Sequence, residues 1–310
     1  MPTSPTVFLA LLCACLTAAA QPARTATPPV LEEVPFITTP DDVTVAMLEL
    51  AGVGPHDHVI DLGSGDGRIV ITAARRFGAR GLGVEIVPDL VARSRVHAQL
   101  AGVTDRATFR TQDLFETDLA PATVVTMYLL PEVNLALRPR LLALAPGTRI
   151  VSHDWDLGDW RPDRTLTLAV PQKAIGLEKI SRVHLWTVPA RLQGLWCGAG
   201  GMALNITQQF QAVAMELVQG RDHHGYTGRI DGRALRAWGA AGAGFTARAD
   251  GDVLRITWTS QTEPVAGLAG HDFRRAEAAA CPAGAPTNRP GYSGLMVDGV
   301  LALAQLAMAA

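Results

Sequence analysis

Lysine is almost missing from this chain of 310 residues. Lysine and arginine together number 27, yet the only lysines are Lys173 and Lys179. Taken alone, this is a bias of composition with no function attached. A basic footprint is missing too: the 27 cations stand against 29 acids, for a net charge of −2, which argues against a nucleic-acid partner held by its phosphates. No G-x-S-x-G and no P-loop pattern occurs, so hydrolase and kinase chemistry have no support. His56 with His58, the His223-His224 pair, and His153 with Asp154 and Asp156 are the groupings that suggest metal. None has a recognisable ligand spacing, so no metal is expected. Cysteine is scarce, at 4 residues.

Charge is absent from Met1 to Ala20. Val7 to Cys15 is an apolar run, and Ala18-Ala19-Ala20 offers a small-residue site before Gln21, as in a secretory signal peptide. No Lys or Arg precedes the run. Leu12-Cys13-Ala14-Cys15 also reads as a lipoprotein box, with cysteine out of place at its second position. An uncleaved anchor is the third reading, although the run falls short of the roughly 20 apolar residues that span a bilayer. Arg24 follows the run, which favours a cytoplasmic side for what comes after. The expectation is a protein anchored to a membrane or exported, with the side left open. Without the leader two cysteines remain, Cys197 and Cys281, either paired in an oxidising compartment or two unrelated buried thiols.

What the sequence does hold is Val59-Ile60-Asp61-Leu62-Gly63-Ser64-Gly65-Asp66-Gly67-Arg68. An apolar run ends in an acid, a glycine-rich turn follows, and Ile69 to Phe77 reads as a helix stopped by Gly78. Strand, glycine turn and helix form the nucleoside-binding opening of an α/β fold. The turn must bend sharply and lie close to a ligand, where a Cβ would collide. A dinucleotide site places its third glycine three positions after the second; that position here is Arg68. Gly81 to Ile86 reads as the next strand, with Glu85 at its end, about 20 residues past the glycines and placed to accept hydrogen bonds from ribose hydroxyls. Asp113 follows the third strand-like run, Ala107 to Arg110. Each feature has a plainer alternative: a tight turn for the glycines, a solvated acid for Glu85, a turn cap for Asp113.

The D-x-G-x-G-x-G pattern resembles motif I of the class I S-adenosylmethionine-dependent methyltransferases. That resemblance implies S-adenosylmethionine as cofactor, held by Asp61, Gly63, Gly65, Gly67 and Glu85, with Asp113 near the adenine amino group. It extends further. Val34-Pro35-Phe36-Ile37-Thr38-Thr39-Pro40, the glycine loop, Met127-Tyr128-Leu129-Leu130-Pro131-Glu132 and Val151-Ser152-His153-Asp154 together look like the lysine methyltransferases that modify the ATP synthase c-subunit, and their bacterial relatives. The match covers roughly residues 34–190, and the C-terminal extension departs from it.

The organisation read from the sequence is a signal or anchor at 1–20, a linker at 21–33, a methyltransferase domain at 34–190, a small β domain at 191–275, and a linker with an apolar tail at 276–310. The middle is expected to be a doubly wound, mostly parallel seven-stranded sheet, with strands near 57–62, 80–86, 106–111, 122–129, 147–153, 164–170 and 182–188, the last two forming an antiparallel hairpin. Thr39 is expected to cap a helix from Asp41 to Ala51, with Pro40 at its first position; Thr38 and Thr39 are also candidates to fold over the cofactor. Asp231-Gly232 and Asp250-Gly251 mark hairpins of an antiparallel sheet or barrel. Trp155 and Trp160 are read as packing residues, with an ammonium cradle as the alternative.

For chemistry, the candidates are Tyr128 and Glu132 past the fourth strand and Asp154 past the fifth. An acid or tyrosine there would steer and deprotonate a lysine acceptor. The alternatives are a core tyrosine, a helix-start acid and a loop carboxylate. Three functions follow: a methyltransferase acting on a protein lysine, a membrane-associated protein included; a small-molecule methyltransferase with the C-terminal sheet lidding its pocket; and a non-catalytic binding module on the same fold.

Overall fold

In the computed structural model, residues 37–173, 178–277 and 281 are described; the leader, the linker after it and the apolar tail lie outside them. Among the described residues no helix is long and apolar enough to cross a membrane.

The first layer of structure alternates strand and helix. Helix α1 (Asp41–Leu50) leads into β1 (His58–Leu62), α2 (Arg68–Phe77), β2 (Arg80–Glu85), α3 (Pro88–Leu100), β3 (Ala107–Thr111), β4 (Val124–Met127), α4 (Pro131–Leu141), β5 (Arg149–His153), β6 (Arg164–Ala169) and β7 (Ile180–Thr187). The seven strands form one sheet in the order β3-β2-β1-β4-β5-β7-β6. All pairs are parallel except those made by β7, so the fold is α/β, as the alternating pattern implies.

Successive side chains of a strand face opposite ways, and both faces of this sheet are covered. Val59, Val124 and Val151 pack with Val43 and Met47 of α1 and Ile69 and Ala73 of α2. Ile60, Leu62, Val125, Met127 and Ile150 pack with Leu137 and Leu141 of α4. This is why the strands read as unbroken apolar runs. The chain winds outward from β1 to β3 and then returns to β4 on the other side of β1. That reversal opens a crevice at the carboxyl ends of β1 and β4, the place where such sheets bind ligands.

Thr39 does not cap α1. Pro40 is itself the N-cap residue, with no side-chain cap, and its carbonyl accepts from Thr44 N at 2.8 Å. The Thr39 hydroxyl turns away into the protein and meets His153 Nδ1 at 3.3 Å.

Past β7 the chain forms β8 (Gly194–Cys197), β9 (Ala203–Gln209), β10 (Ala212–Gln219), β11 (Asp222–Asp231), β12 (Ala234–Gly239), β13 (Gly244–Asp250), β14 (Val253–Thr259) and β15 (Asp272–Arg275). These close into an antiparallel barrel, with β15 pairing β8. Two of its hairpins turn at Gly232 and Gly251, whose φ values of +54° and +56° suit glycine. The interior is apolar, built on Trp196, Leu204, Val213, Leu235, Leu254 and Phe273.

The barrel is no lid for the crevice. Because β7 runs against its neighbours, it ends at the edge where β5 and β6 begin. There Asp163 joins the two parts: it accepts from Thr187 N at 2.6 Å and Gln211 Nε2 at 3.0 Å, and it pairs with Arg229. Gly232 O accepts from Ala190 N at 2.7 Å. These contacts lie at the amino ends of β5 and β6, opposite the carboxyl ends that line the crevice. Trp160 is part of the same packing, fully buried, with its ring 6.0 Å from Phe210; it cradles no ammonium.

Cys197 and Cys281 form a disulfide across 84 residues of sequence. Closing a loop of that length in the unfolded chain is worth up to about 4 kcal/mol. Cys197→Ser should therefore lower the barrel's stability towards denaturant while ligand binding at the distant crevice stays unchanged. Denaturation followed by intrinsic fluorescence, beside calorimetric titration of the folded variant, checks both halves of this statement.

Candidate active site

The glycine loop joins β1 to α2 in a run of left-handed turns. Gly63, Gly65 and Gly67 have φ values of +73°, +53° and +82°, which other residues adopt only with strain. Gly67 is also crowded, since a Cβ there would stand 2.7 Å from the Phe109 ring and 2.9 Å from Ser94 Cβ. The Ser94 hydroxyl donates to Gly65 O at 2.8 Å, fixing the loop from below.

Glu85 ends β2 beside this loop. One of its oxygens accepts from Gly65 N at 3.0 Å, and the other accepts from Ile86 N at 2.8 Å and Val87 N at 3.1 Å. A carboxylate has about four lone-pair sites, so room for one more donor remains. Sequence reasoning placed this acid at the ligand and missed that it also holds the loop. Glu85→Ala should thus cost stability as well as binding. Losing charge-assisted bonds to backbone amides is worth about 2 kcal/mol, readable as a lower melting temperature, and cofactor affinity should fall at least about tenfold. Wild-type melting and wild-type affinity together would overturn this role.

Asp61 lies under the loop, 2% exposed. Its Oδ1 accepts from the Thr126 hydroxyl on β4 at 2.7 Å. Burial pushes its pKa up to about 7 against that hydrogen bond, and the charges of Glu85 and Asp66 add to the rise. Burial also works against Asp66, but there the Arg68 guanidinium, bonded at 2.6 and 2.9 Å, brings the carboxyl below its ordinary range. Arg68 also donates to Thr39 O at 2.8 Å, which ties the segment before α1 to the glycine loop.

Asp113 stands past the end of β3, where its Oδ1 caps the short 3-10 turn Leu114–Glu116 by accepting from Phe115 N at 2.8 Å. Ile86 and Val87 follow Glu85 with large exposed side chains, 64% and 41% accessible. An apolar face beside Glu85 fits the flat base of a nucleoside. The left-handed loop, the carboxylate with a free lone-pair site, the apolar face and a buried acid that a cation would relieve all fit S-adenosylmethionine.

At the far side of the crevice, the structure brings Tyr128 and Asp154 together. The Tyr128 hydroxyl lies near the Asp154 carboxylate, and burial followed by that negative charge raises the phenol's pKa. The Tyr128 ring lies 4.0 Å from the His153 ring, centroid to centroid. His153 is buried between Thr39 and Ser181, whose hydroxyl is 2.9 Å from Nε2. Burial pushes its pKa down to about 4, with Lys173 and His184 adding to the fall against the pull of Asp154. It is therefore a neutral support for Tyr128 at ordinary pH, and both its nitrogens are occupied by hydroxyls. Asp154 has φ +64°; its Oδ1 accepts from Arg182 N at 3.0 Å and its Oδ2 from Lys173 Nζ at 2.6 Å. Glu132 is not brought to this pair. It is exposed in the first turn of α4, after Pro131 at the helix start, where an acid complements the helix dipole.

A doubly wound sheet with a glycine loop at its switch point, an acid at the end of β2 and a polar pair past β4 and β5 defines a class I methyltransferase. The family model of the ANTKMT methyltransferase domain matches residues 61–164. A protein-lysine N-methyltransferase of Saccharolobus islandicus is 44% identical over 135 residues, which are 43% of this chain and 84% of that protein. The adenine nucleotide translocase lysine N-methyltransferase of Mus musculus is 40% identical over 106 residues, and the match covers 34% of this chain and 46% of that one. The mouse lysine N-methyltransferase of the ATP synthase c-subunit is 38% identical, over 34% of this chain and 43% of its own. An RNA methyltransferase of Salinibacter ruber, solved with S-adenosyl-L-homocysteine, is 53% identical over 50% of this chain and 96% of its own, with a TM-score of 0.46. The chain belongs to the protein-lysine N-methyltransferase family, and it is an S-adenosylmethionine-dependent methyltransferase. It spans less than half the length of either mouse relative, and its barrel lies beyond the residues that the family model matches.

Proposed function

We propose that the enzyme methylates the ε-amine of a lysine on a protein, with Tyr128 and Asp154 receiving that amine. S-adenosylmethionine supplies a methyl group already activated by its sulfonium charge. The chain's residues have to hold the amine in line, take up its proton and keep water away. Asp154 attracts an ammonium and offers an acceptor for the proton. The Tyr128 hydroxyl, near Asp154 and with its ring tilted against neutral His153, orients the nitrogen. The observation that carries the reading is that Asp154 already binds a lysine ammonium, that of Lys173, at 2.6 Å. A carboxyl acceptor would meet repulsion from the same group. Incubating the purified protein with methyl-labelled cofactor and a lysate tests this. The label should appear on protein lysines, and label confined to carboxyl groups, small molecules or RNA would overturn it.

The leader at 1–20 and the Cys197–Cys281 bond together support a protein that is exported, or anchored with its barrel on an oxidising side, which makes a membrane-associated acceptor the natural partner. Reporter fusions active only inside or only outside the cytosol decide the side, and thiols found free on a cytosolic protein would refute it.

A further inference from the structure

The chain's two lysines, among 27 basic residues, both fall in the loop between β6 and β7. Strands β5 and β6 each pair antiparallel with β7, so β6 runs parallel to β5. It therefore ends at the edge where β4 and β5 end, and its loop returns beside Tyr128 and Asp154. Lys173 uses this position fully. Its Nζ donates to Asp154 Oδ2 at 2.6 Å and to Ile180 O at 2.6 Å, and its side chain is only 14% exposed. Lys179 differs: it is exposed, and its Nζ donates to Lys173 O at 2.6 Å.

We propose that Lys173 is an internal methyl acceptor, modified by the enzyme's own site within the same molecule. This rests on the assignment of Tyr128 and Asp154 to the acceptor site. The amine that occupies the place of the substrate amine belongs to the chain, held by the carboxylate that would receive a substrate. The step balances in the ordinary way. The ammonium gives a proton to Asp154, which passes it to solvent. The free Nζ lone pair forms the N–C bond to the methyl carbon as the S–CH3 bond breaks, and that bond's electron pair stays on sulfur, giving the neutral thioether. An ammonium has three hydrogens, and Asp154 and Ile180 use two. One methyl group leaves both bonds possible, whereas a second would remove one of them, so the monomethyl form is the expected product.

Full-length protein incubated with a deuterated methyl donor, digested and read by mass spectrometry, tests this. Lys173 should carry one methyl and Lys179 none. The fraction modified per unit time should not change with enzyme concentration, and Asp154→Asn should abolish the modification. A second readout needs no turnover. Without cofactor, an amine-reactive ester should label Lys173 much more slowly than Lys179, and Asp154→Asn should raise labelling at Lys173 alone. Labelled lysate proteins with Lys173 unmodified would overturn the internal acceptor and leave the protein-lysine reading intact. Cofactor binding with no lysine labelled anywhere would overturn both. Equal labelling of Lys173 and Lys179, or a rate that rises with enzyme concentration, would replace an internal transfer with reaction between molecules.

Discussion

Affinity for S-adenosylmethionine should weaken about tenfold for each pH unit below about 7 and level off above it. The cause is Asp61. Buried under the glycine loop, it is protonated in the free protein up to about pH 7. A ligand carrying a sulfonium and an ammonium favours the ionised carboxyl, so below that pH binding must release a proton. The same group sets a stability slope of opposite sense. Its pKa rises from 3.8 unfolded to about 7 folded, so between those values the folded state binds more protons than the unfolded state. Stability from this group is therefore lost as pH rises from about 4 through about 7. Calorimetry in buffers of different ionisation enthalpy reads the released proton directly. Asp61→Asn should flatten the affinity profile and remove its part of the stability slope. A wild-type affinity unchanged between about pH 6 and about pH 8 would refute the linkage.

The arrangement of the residues proposed for the cofactor was legible because its features are local. Asp61, the glycines and Glu85 each sit at or beside a strand end that apolar runs announce, in one strand-turn-helix unit and the strand next to it. The proposed acceptor half was less legible because it is made by contacts across the chain. Thr39 and His153 are separated by 114 residues, and no periodicity marks that pairing, so the threonine read as a helix cap. Glu132 read as well as Asp154 for a role, since both follow strands in the sheet. Only the geometry separates an exposed helix-start acid from one beside Tyr128 that binds Lys173. Lys173 looked like an accident of composition because its meaning depends on β7 lying between β5 and β6, which brings the loop back to the acceptor edge. The barrel's turns were visible in Asp231-Gly232 and Asp250-Gly251. The sequence leaves open whether the strands form a sheet or close into a barrel, because β15 and β8 are four-residue strands with little pattern to read. The barrel's place at the far edge of the sheet was not visible either, because it follows from the direction of β7.

Tyr128→Phe and Asp154→Asn should each lower turnover by about a hundredfold or more while cofactor affinity stays near wild type. Both substitutions spare the scaffold. Phenylalanine keeps the ring that packs 4.0 Å from His153, centroid to centroid, and removes only the hydroxyl. Asparagine keeps the shape of Asp154 and suits its left-handed φ of +64°, a region that Asn tolerates better than most residues. It removes the charge that holds an ammonium and the base that accepts a proton. Neither position touches the glycine loop or Glu85, so calorimetric affinity for the cofactor reports an intact fold. Glu132→Gln, by contrast, should change turnover little, because its side chain stands exposed at the start of α4. A hundredfold loss in Glu132→Gln with normal rates in Asp154→Asn would exchange the roles of the two acids. Equal loss of turnover and of cofactor binding in Asp154→Asn would mean that the carboxylate supports the fold rather than the reaction. The pH profile separates these further. Wild-type turnover should be insensitive to His153 above about pH 5, since burial holds that ring neutral, and replacing His153 with a neutral ring should change rate through the placement of Tyr128 without moving the profile.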